Sequence, residues 1–157
     1  MEPLSLERPS AEEWLRTKRL RVTPQRRLVL DRMMQEVGRH WSADELHEAL
    51  RPQLSELARG TIYNILAELT RVGLVEELPA RDGSVLYGMW LTPHHHFCCD
   101  RCRRWFDVAP VGVASLDLSP EDRERFDVRA VAVVFQGQCA DCARGMAPAP
   151  VGVTDNW

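Results

Sequence analysis

The stretch His94-His95-His96-Phe97-Cys98-Cys99-Asp100-Arg101-Cys102 holds three of the five histidines and three of the five cysteines of this 157-residue chain. So many nitrogen and sulfur ligands in one short stretch are hard to explain by core packing, and they indicate a metal site. Cys99 and Cys102 form a C-x-x-C pair, and a second pair follows at Cys139 and Cys142. The four thiolates predict a closed tetrahedral zinc site with a structural role. A redox switch that releases zinc and forms disulfides is the alternative.

The histidines predict a second metal site of different chemistry. On a strand, His94 and His96 face one way and His95 faces the other. If residues 100–101 are the turn of an antiparallel hairpin, His94 lies opposite Asp107, and the three side chains share a face. Two imidazoles and a carboxylate suit Fe(II), Mn(II) or Zn(II) rather than calcium or magnesium. A metal-free surface pair of histidines is the alternative.

Composition sets the broad class of protein. The chain is 45% hydrophobic, which is enough for a folded core in one large domain or two small ones. No apolar run approaches the ~20 residues of a spanning helix, and residues 1–9 lack the apolar region of a signal peptide. With C-x-x-C pairs that favour reduced thiols, we expect a cytoplasmic protein without membrane association. The net charge of −3 does not by itself predict nucleic-acid binding.

Capping patterns mark the helices of the first half. Helix starts are predicted at Ser10 with Glu13, at Thr23 before Pro24, and at Ser42 with Glu45. The second helix is predicted to stop at Gly38 and to bury Leu28, Val29, Met33 and Val37. A fourth helix over residues 59–72 is predicted to bury Ile62, Ile65, Leu66 and Leu69.

Two strand-like runs, 74–78 and 85–90, follow the helices and are separated by the turn pair Asp82-Gly83. Helices followed by a hairpin are typical of a winged helix-turn-helix. The second half predicts strands over 94–98, 104–108 and 128–135. The fold class is therefore α+β, with a winged-helix DNA-binding domain at 1–90, a metal-binding α/β domain at 94–144, and a disordered tail at 145–157.

A basic run suggests the partner of the first domain. Residues 16–27 contain six basic side chains and no acidic one. The N-terminal residues of a recognition helix reach base edges in the major groove of double-stranded DNA. The candidate DNA contacts at the start of the fourth helix are Arg59, Thr61, Tyr63 and Asn64. A solvated helix face is the alternative.

From residue 10 to residue 142, the chain resembles the ferric uptake regulator family of metal-dependent transcriptional repressors. The matching stretches are Arg21-Val22-Thr23-Pro24-Gln25-Arg26, Ser42-Ala43-Asp44-Glu45-Leu46, Thr61-Ile62-Tyr63-Asn64, Gly73-Leu74-Val75, His94-His95-His96-Phe97 and both C-x-x-C pairs.

The resemblance implies that the second domain is a dimerisation domain and that a homodimer binds a palindromic operator. It implies a base contact for Tyr63 and a minor-groove role for Arg21. It also implies that His40 joins His94, His96 and Asp107 in a regulatory site, so that metal acts as co-repressor by stabilising the DNA-competent shape.

Three positions depart from the family pattern. Gly88, in Tyr87-Gly88-Met89, stands where the family often has a further carboxylate ligand. Val131 replaces a histidine of the family's additional site, so we expect one regulatory site per chain. Ala58 stands where a Ser or Thr usually caps the recognition helix.

These features do not determine which metal ion occupies the regulatory site. Asp107, rather than a glutamate, resembles the peroxide-sensing branch and favours Fe(II) or Mn(II) with a peroxide or metal-homeostasis response. The missing carboxylate favours Zn(II) or Ni(II) sensing as the alternative. A metallohydrolase is a remote alternative, since no H-E-x-x-H motif is present. A zinc–thiol redox switch without DNA binding would leave the first 90 residues unexplained.

Overall fold

The computed structural model describes residues 9–54, 56–80, 83–128 and 131–146. The chain divides into two compact units, residues 1–91 and 92–157. Both units combine helices with a small sheet, so the α+β class is confirmed. Asp82 of the predicted turn and residues 147–157 of the predicted tail lie outside the described residues.

The described residues of the first unit form four helices, and the first three begin where the capping patterns place them. They are α1 (Ala11–Thr17), α2 (Pro24–Gln35), α3 (Ala43–Leu50) and α4 (Arg59–Arg71). Ser10 and Ser42 each form a reciprocal capping box, and the Thr23 hydroxyl accepts a hydrogen bond from the Arg26 N–H. Ala58 supplies no side-chain cap, yet α4 still begins at Arg59. No described helix has the length and apolar character needed to cross a membrane.

The core of the first unit forms between these helices. The predicted inward face of α4 is confirmed, with Ile62, Ile65, Leu66 and Leu69 all buried. The prediction for α2 was wrong in two respects. Leu30 is fully buried whereas Leu28 is only half-buried, and Val37 is 41% exposed. Val37 is exposed because α2 ends at Gln35, so the helical period no longer applies to it.

A three-stranded sheet completes the first unit. Its strands are β1 (Trp41–Ser42), β2 (Val75–Pro79) and β3 (Val85–Met89), in the order β1-β3-β2 and with antiparallel pairing. Strand β1 was not predicted, because two residues carry no periodic pattern. Trp41 in β1 is buried, and the Arg39 guanidinium lies 3.5 Å from its ring centroid.

The second unit is built on a sheet of strands β4 (His95–Cys99), β5 (Trp105–Val108) and β6 (Val134–Gly137), in the order β5-β4-β6. Strand β4 pairs antiparallel with β5 and parallel with β6. A 3-10 turn (Val113–Ser115) and the short helices α5 (Pro120–Arg123) and α6 (Ala140–Ala143) complete it. The strand predicted over 128–135 is observed as β6 from Val134 onward, and residues 129–130 lie outside the described residues.

The hairpin register predicted for the second unit was wrong by two residues. Asp107 lies opposite His96, not opposite His94. The connection between the strands is longer than a two-residue turn, since the Cys99 N–H bonds the Arg104 carbonyl and Arg103 adopts a positive φ of 62°. A shift of two residues keeps every side chain on its predicted face. Asp107 therefore still faces the histidines.

Candidate metal centres and DNA-contact surface

The four cysteines of the two C-x-x-C pairs converge in the second unit, with all four sulfurs within 4.8 Å of one another. The Sγ atoms of Cys99 and Cys142 are 3.7 Å apart, and those of Cys102 and Cys139 are 3.8 Å apart. Sulfurs held about 2.3 Å from a zinc ion at tetrahedral angles lie about 3.8 Å from each other. The spacing therefore fits a tetrahedral ion, and it is too long for disulfides.

Hydrogen-bond donors favour the thiolate form of Cys99 and Cys102, whereas burial and the neighbouring sulfurs raise the pKa of Cys142. Burial raises the pKa of Cys99, but N–H groups of Cys102, Cys139 and Arg101 outweigh it and lower the pKa to about 6. The Arg104 guanidinium donates to the Cys102 sulfur at 3.3 Å. Four thiolates carry more negative charge than a divalent ion neutralises, and these hydrogen-bond donors offset the excess.

Cys98 is buried next to Cys99 in β4 but is not part of the cluster. Neighbouring residues of a strand point to opposite faces, so Cys98 shares the face of His96 while Cys99 faces the other cysteines. His95 also points away from His96, and its Nδ1 accepts a hydrogen bond from the Val133 N–H at 3.2 Å. His95 therefore ties the chain before β6 to β4.

A second group of ligands forms on the opposite face of the same sheet. The Nε2 atoms of His94 and His96 lie 3.5 and 3.8 Å from Asp107 Oδ1. The two imidazole rings are in edge contact, with centroids 4.8 Å apart. The His94 Nδ1 lies 2.8 Å from the Thr92 carbonyl, which orients its Nε2 toward the carboxylate. Three donor atoms of this kind can hold one transition-metal ion from one side.

The first unit carries the remaining predicted ligand, His40. Its Nε2 lies 3.9 Å from Oε1 of Glu76 in β2. The backbone of Gly88 passes close to both, and a Cβ at that position would lie 2.7 Å from His40 Cδ2. Glu76 was not among the predicted ligands.

Four of the five predicted DNA contacts lie near the start of α4, and the fifth, Arg21, precedes α2. Tyr63 is 49% exposed, and Arg59 and Asn64 are exposed, whereas Thr61 is half-buried. Arg59 also lies 3.3 Å from Asp44, so its guanidinium is held at the helix start.

Several side chains of the basic run form ion pairs with acidic residues of the same unit. Ion pairs join Arg16 to Glu12, Arg26 to Glu68 and Arg27 to Asp31. Arg26 donates to both Glu68 oxygens, at 2.7 and 2.8 Å, and also to the Arg21 carbonyl at 2.9 Å. Arg26 therefore fixes the exposed Arg21 relative to α4 rather than offering its own charge to a partner.

Comparison with known proteins identifies the family of the chain. The family model described as the ferric uptake regulator family matches residues 17–135. The chain belongs to the ferric uptake regulator family. It is therefore a transcription regulator and not an enzyme, and the metallohydrolase alternative is wrong.

Individual relatives of this ferric uptake regulator family member span most of the chain. A peroxide-responsive repressor PerR of Staphylococcus saprophyticus is 30% identical over 128 residues, which cover 82% of this chain and 86% of the relative. A zinc uptake regulator solved with zinc and DNA is 26% identical, with a TM-score of 0.65 and coverage of 86% and 91%. The ferric uptake regulator from Francisella tularensis with iron shares the fold, with a TM-score of 0.66 at 20% identity and coverage of 79% and 95%.

Proposed function

We propose that the protein is a homodimeric, metal-responsive repressor with a structural zinc ion in the four-cysteine cluster and one regulatory metal ion per chain. The observation that carries this proposal is the separation of ligand types within one sheet. His94, His96 and Asp107 gather on one face of β4 and β5, while Cys99 belongs to the thiol cluster on the other. A closed thiolate site stabilises the fold, whereas an open nitrogen and oxygen site can exchange its ion.

The regulatory ion is proposed to join the two units. The second unit supplies His94, His96 and Asp107. The first unit supplies His40, whose Nε2 lies 3.9 Å from the Glu76 carboxylate. An ion bound by both halves fixes the angle between the DNA-binding unit and the dimerising unit. The metal ion then stabilises the DNA-competent arrangement because it binds that arrangement more tightly than the one that cannot bind DNA.

We propose that the first unit is a winged helix-turn-helix, with α4 as the recognition helix and the β2–β3 hairpin as the wing. Tyr63 and Asn64 project from the N-terminal half of α4, where a recognition helix reaches base edges. Arg21 is suited to the backbone or minor groove of the same duplex. The partner is a double-stranded, palindromic operator, and the protein acts in the cytoplasm.

The homodimer is proposed to form through the second unit. Its own described core is small and consists mainly of the cysteines with Phe97 and Phe106. Strand β6 lies at the edge of the sheet, and several apolar side chains within it or shortly before it in the sequence are 42% to 55% exposed. These side chains are Phe126, Val128, Val131, Val134 and Phe135. An exposed edge with apolar side chains is a surface that a second copy can cover.

For the regulatory ion we favour Fe(II) or Mn(II), with a peroxide or metal-homeostasis response. Carboxylate ligands beside imidazoles suit these ions, and the 30% identical relative is named a peroxide-responsive repressor. Zinc or nickel sensing is the second candidate, because a relative of similar coverage was solved with zinc and DNA.

A metal-titrated gel shift tests this proposal. Protein that retains its tightly bound zinc is titrated with Mn(II), Fe(II), Zn(II) or Ni(II) under anaerobic conditions, in the presence of a labelled operator and a random duplex. We expect one metal to raise operator affinity about tenfold or more, at one added ion per chain. Operator binding that ignores all four metals would contradict the proposal.

A further inference from the structure

We propose that Arg104 is a positioning residue of the four-cysteine cluster, where its guanidinium bridges the two C-x-x-C pairs and slows the loss of the bound zinc ion. This inference rests on the proposed structural zinc and concerns the second unit alone. Three observations carry it, namely the contacts of the guanidinium with both pairs, the unequal exposure of the four sulfurs, and the contrast with Arg144.

The first observation is the set of contacts around the guanidinium. Arg104 Nε donates a hydrogen bond to the Cys102 sulfur at 3.3 Å. Its Nη2 donates to the Asp141 carboxylate at 3.1 Å and lies 4.0 Å from the Cys139 sulfur. Arg104 follows the first C-x-x-C pair by two residues, and Asp141 lies inside the second pair. One planar group with several N–H donors therefore joins two segments that are 37 residues apart in the chain.

The second observation is that the sulfurs reached by Arg104 belong to the less buried half of the cluster. Cys99 and Cys142 are fully buried. Cys102 is 7% exposed, and Cys139 is half-buried. The Arg104 side chain is 41% exposed, so it contacts both solvent and this half of the cluster. A reagent that attacks a thiolate from solution therefore meets Arg104 and these two sulfurs first.

Charge explains why a cation matters at this position. Four thiolates and one divalent ion leave an excess of negative charge, which keeps the sulfurs nucleophilic. A guanidinium stays protonated in proteins, and a hydrogen bond from it to a thiolate is charge-assisted. Arg104 therefore stabilises the zinc-bound thiolates of Cys102 and Cys139. Its contacts with both segments also hold the two pairs together when one zinc–sulfur bond opens.

The third observation separates this bridge from an ordinary surface ion pair. Arg144 pairs with the same carboxylate, at 3.3 Å from Asp141 Oδ1, and its side chain is 61% exposed. Within the described residues, the Arg144 side chain makes no hydrogen bond to a sulfur. Exposed pairs of this kind contribute little to stability. The two arginines share one carboxylate and differ in their contact with sulfur, so they form a matched pair for experiment.

Release of zinc from the full-length protein to an excess of the colorimetric chelator pyridylazoresorcinol tests the inference. Arg104→Ala should release zinc about tenfold faster than the parent, or more, because the thiolates lose their cationic donor. Arg144→Ala is the control and should release zinc at the parental rate. Asp141→Asn should also speed release, since it frees the guanidinium, but it should add little in an Arg104→Ala background. Circular dichroism checks the fold, and Arg104→Gln replaces Arg104→Ala if that variant does not fold.

Cobalt substitution gives a second readout, which a loss of packing alone would not change. Co(II) bound in place of zinc has a sulfur-to-metal charge-transfer absorption, and a hydrogen bond to the thiolate raises its energy because the bond stabilises the sulfur electrons. Arg104→Ala should therefore move this absorption to lower energy, and Arg144→Ala should leave it in place. A parental release rate for Arg104→Ala, or faster release with a parental absorption, overturns the inference. Parent protein that binds no zinc would instead overturn the proposed structural zinc.

Discussion

His96 lies directly opposite Asp107 across the β4–β5 pair, with its Nε2 3.8 Å from the carboxylate, and its side chain is almost fully buried. A buried imidazole beside a carboxylate is held in one orientation and one tautomer, which is the condition that metal ligands require. This pair lies on the strand face opposite the cysteines, so the proposed regulatory ion and the proposed zinc ion would lie on opposite faces of one sheet.

The first prediction concerns this carboxylate. Asp107→Asn should reduce the affinity for the regulatory ion about tenfold or more, because the amide oxygen carries no charge to offer the cation. Isothermal titration of Mn(II) into zinc-retaining protein measures the loss. Glu121→Gln, which changes an exposed acid of α5, is the control and should leave the affinity unchanged. Equal affinities for Asp107→Asn and the parent would remove Asp107 from the site.

The second prediction compares two adjacent buried cysteines of β4. Cys99→Ser should abolish zinc retention and unfold the second unit, since the binding energy of a closed thiolate site is also folding energy. Cys98→Ser should keep about one zinc ion per chain, because Cys98 faces away from the cluster. Elemental analysis with circular dichroism measures both effects. Folded parent protein that contains no zinc would end this interpretation.

The third prediction concerns Arg21. Arg21→Ala should weaken binding to operator and random DNA alike and lower the slope of log affinity against log salt by about one. Arg71→Ala changes an exposed arginine at the far end of α4 and should leave the slope unchanged. Fluorescence anisotropy at several salt concentrations gives the slopes. Two identical slopes for Arg21→Ala and the parent would exclude a phosphate contact.

The fourth prediction concerns specificity. Tyr63→Ala should reduce the discrimination between operator and random duplex by about 1–3 kcal/mol, while non-specific binding changes little. The reason is that an exposed ring on the recognition helix can contact base edges but carries no charge for phosphates. Competition gel shifts with both duplexes measure the ratio. Unchanged discrimination would mean that another residue carries the base contact.

The fifth prediction tests the proposed link between the units. His40→Ala should retain the fold, the dimer and the zinc ion but lose the stimulation of operator binding by metal. The three ligands of the second unit can still hold an ion, yet that ion no longer fixes the position of the DNA-binding unit. Operator affinity should remain at the metal-free level with excess Mn(II). A normal response to metal would make His40 an ordinary loop residue.

The sequence predicted the helix starts and the four-cysteine cluster because these depend on local spacing. Ser10, Thr23 and Ser42 cap helices through neighbouring residues, and each C-x-x-C pair carries its own geometry. Contacts between strands were harder to predict, since they depend on the length of each turn.

The two hairpins show how turn length decides what can be predicted. In the second unit the predicted register was two residues off, which kept Asp107 on the correct face. In the first unit no register was predicted for the hairpin, so the pairing of Glu76 with Gly88, next to His40, was not expected. The proximity of Glu76 to His40 in the first unit was therefore found only in the structure.

The four-cysteine cluster joins chain segments about 40 residues apart and accounts for most of the described core of the second unit. A unit of this size gains little stability from apolar burial alone and needs a crosslink or a metal. With zinc in this role, the protein must bind zinc in order to fold before it can respond to the proposed regulatory ion. A cell starved of zinc would lose newly made repressor through misfolding and proteolysis, and its target genes would be expressed however much iron or manganese was present.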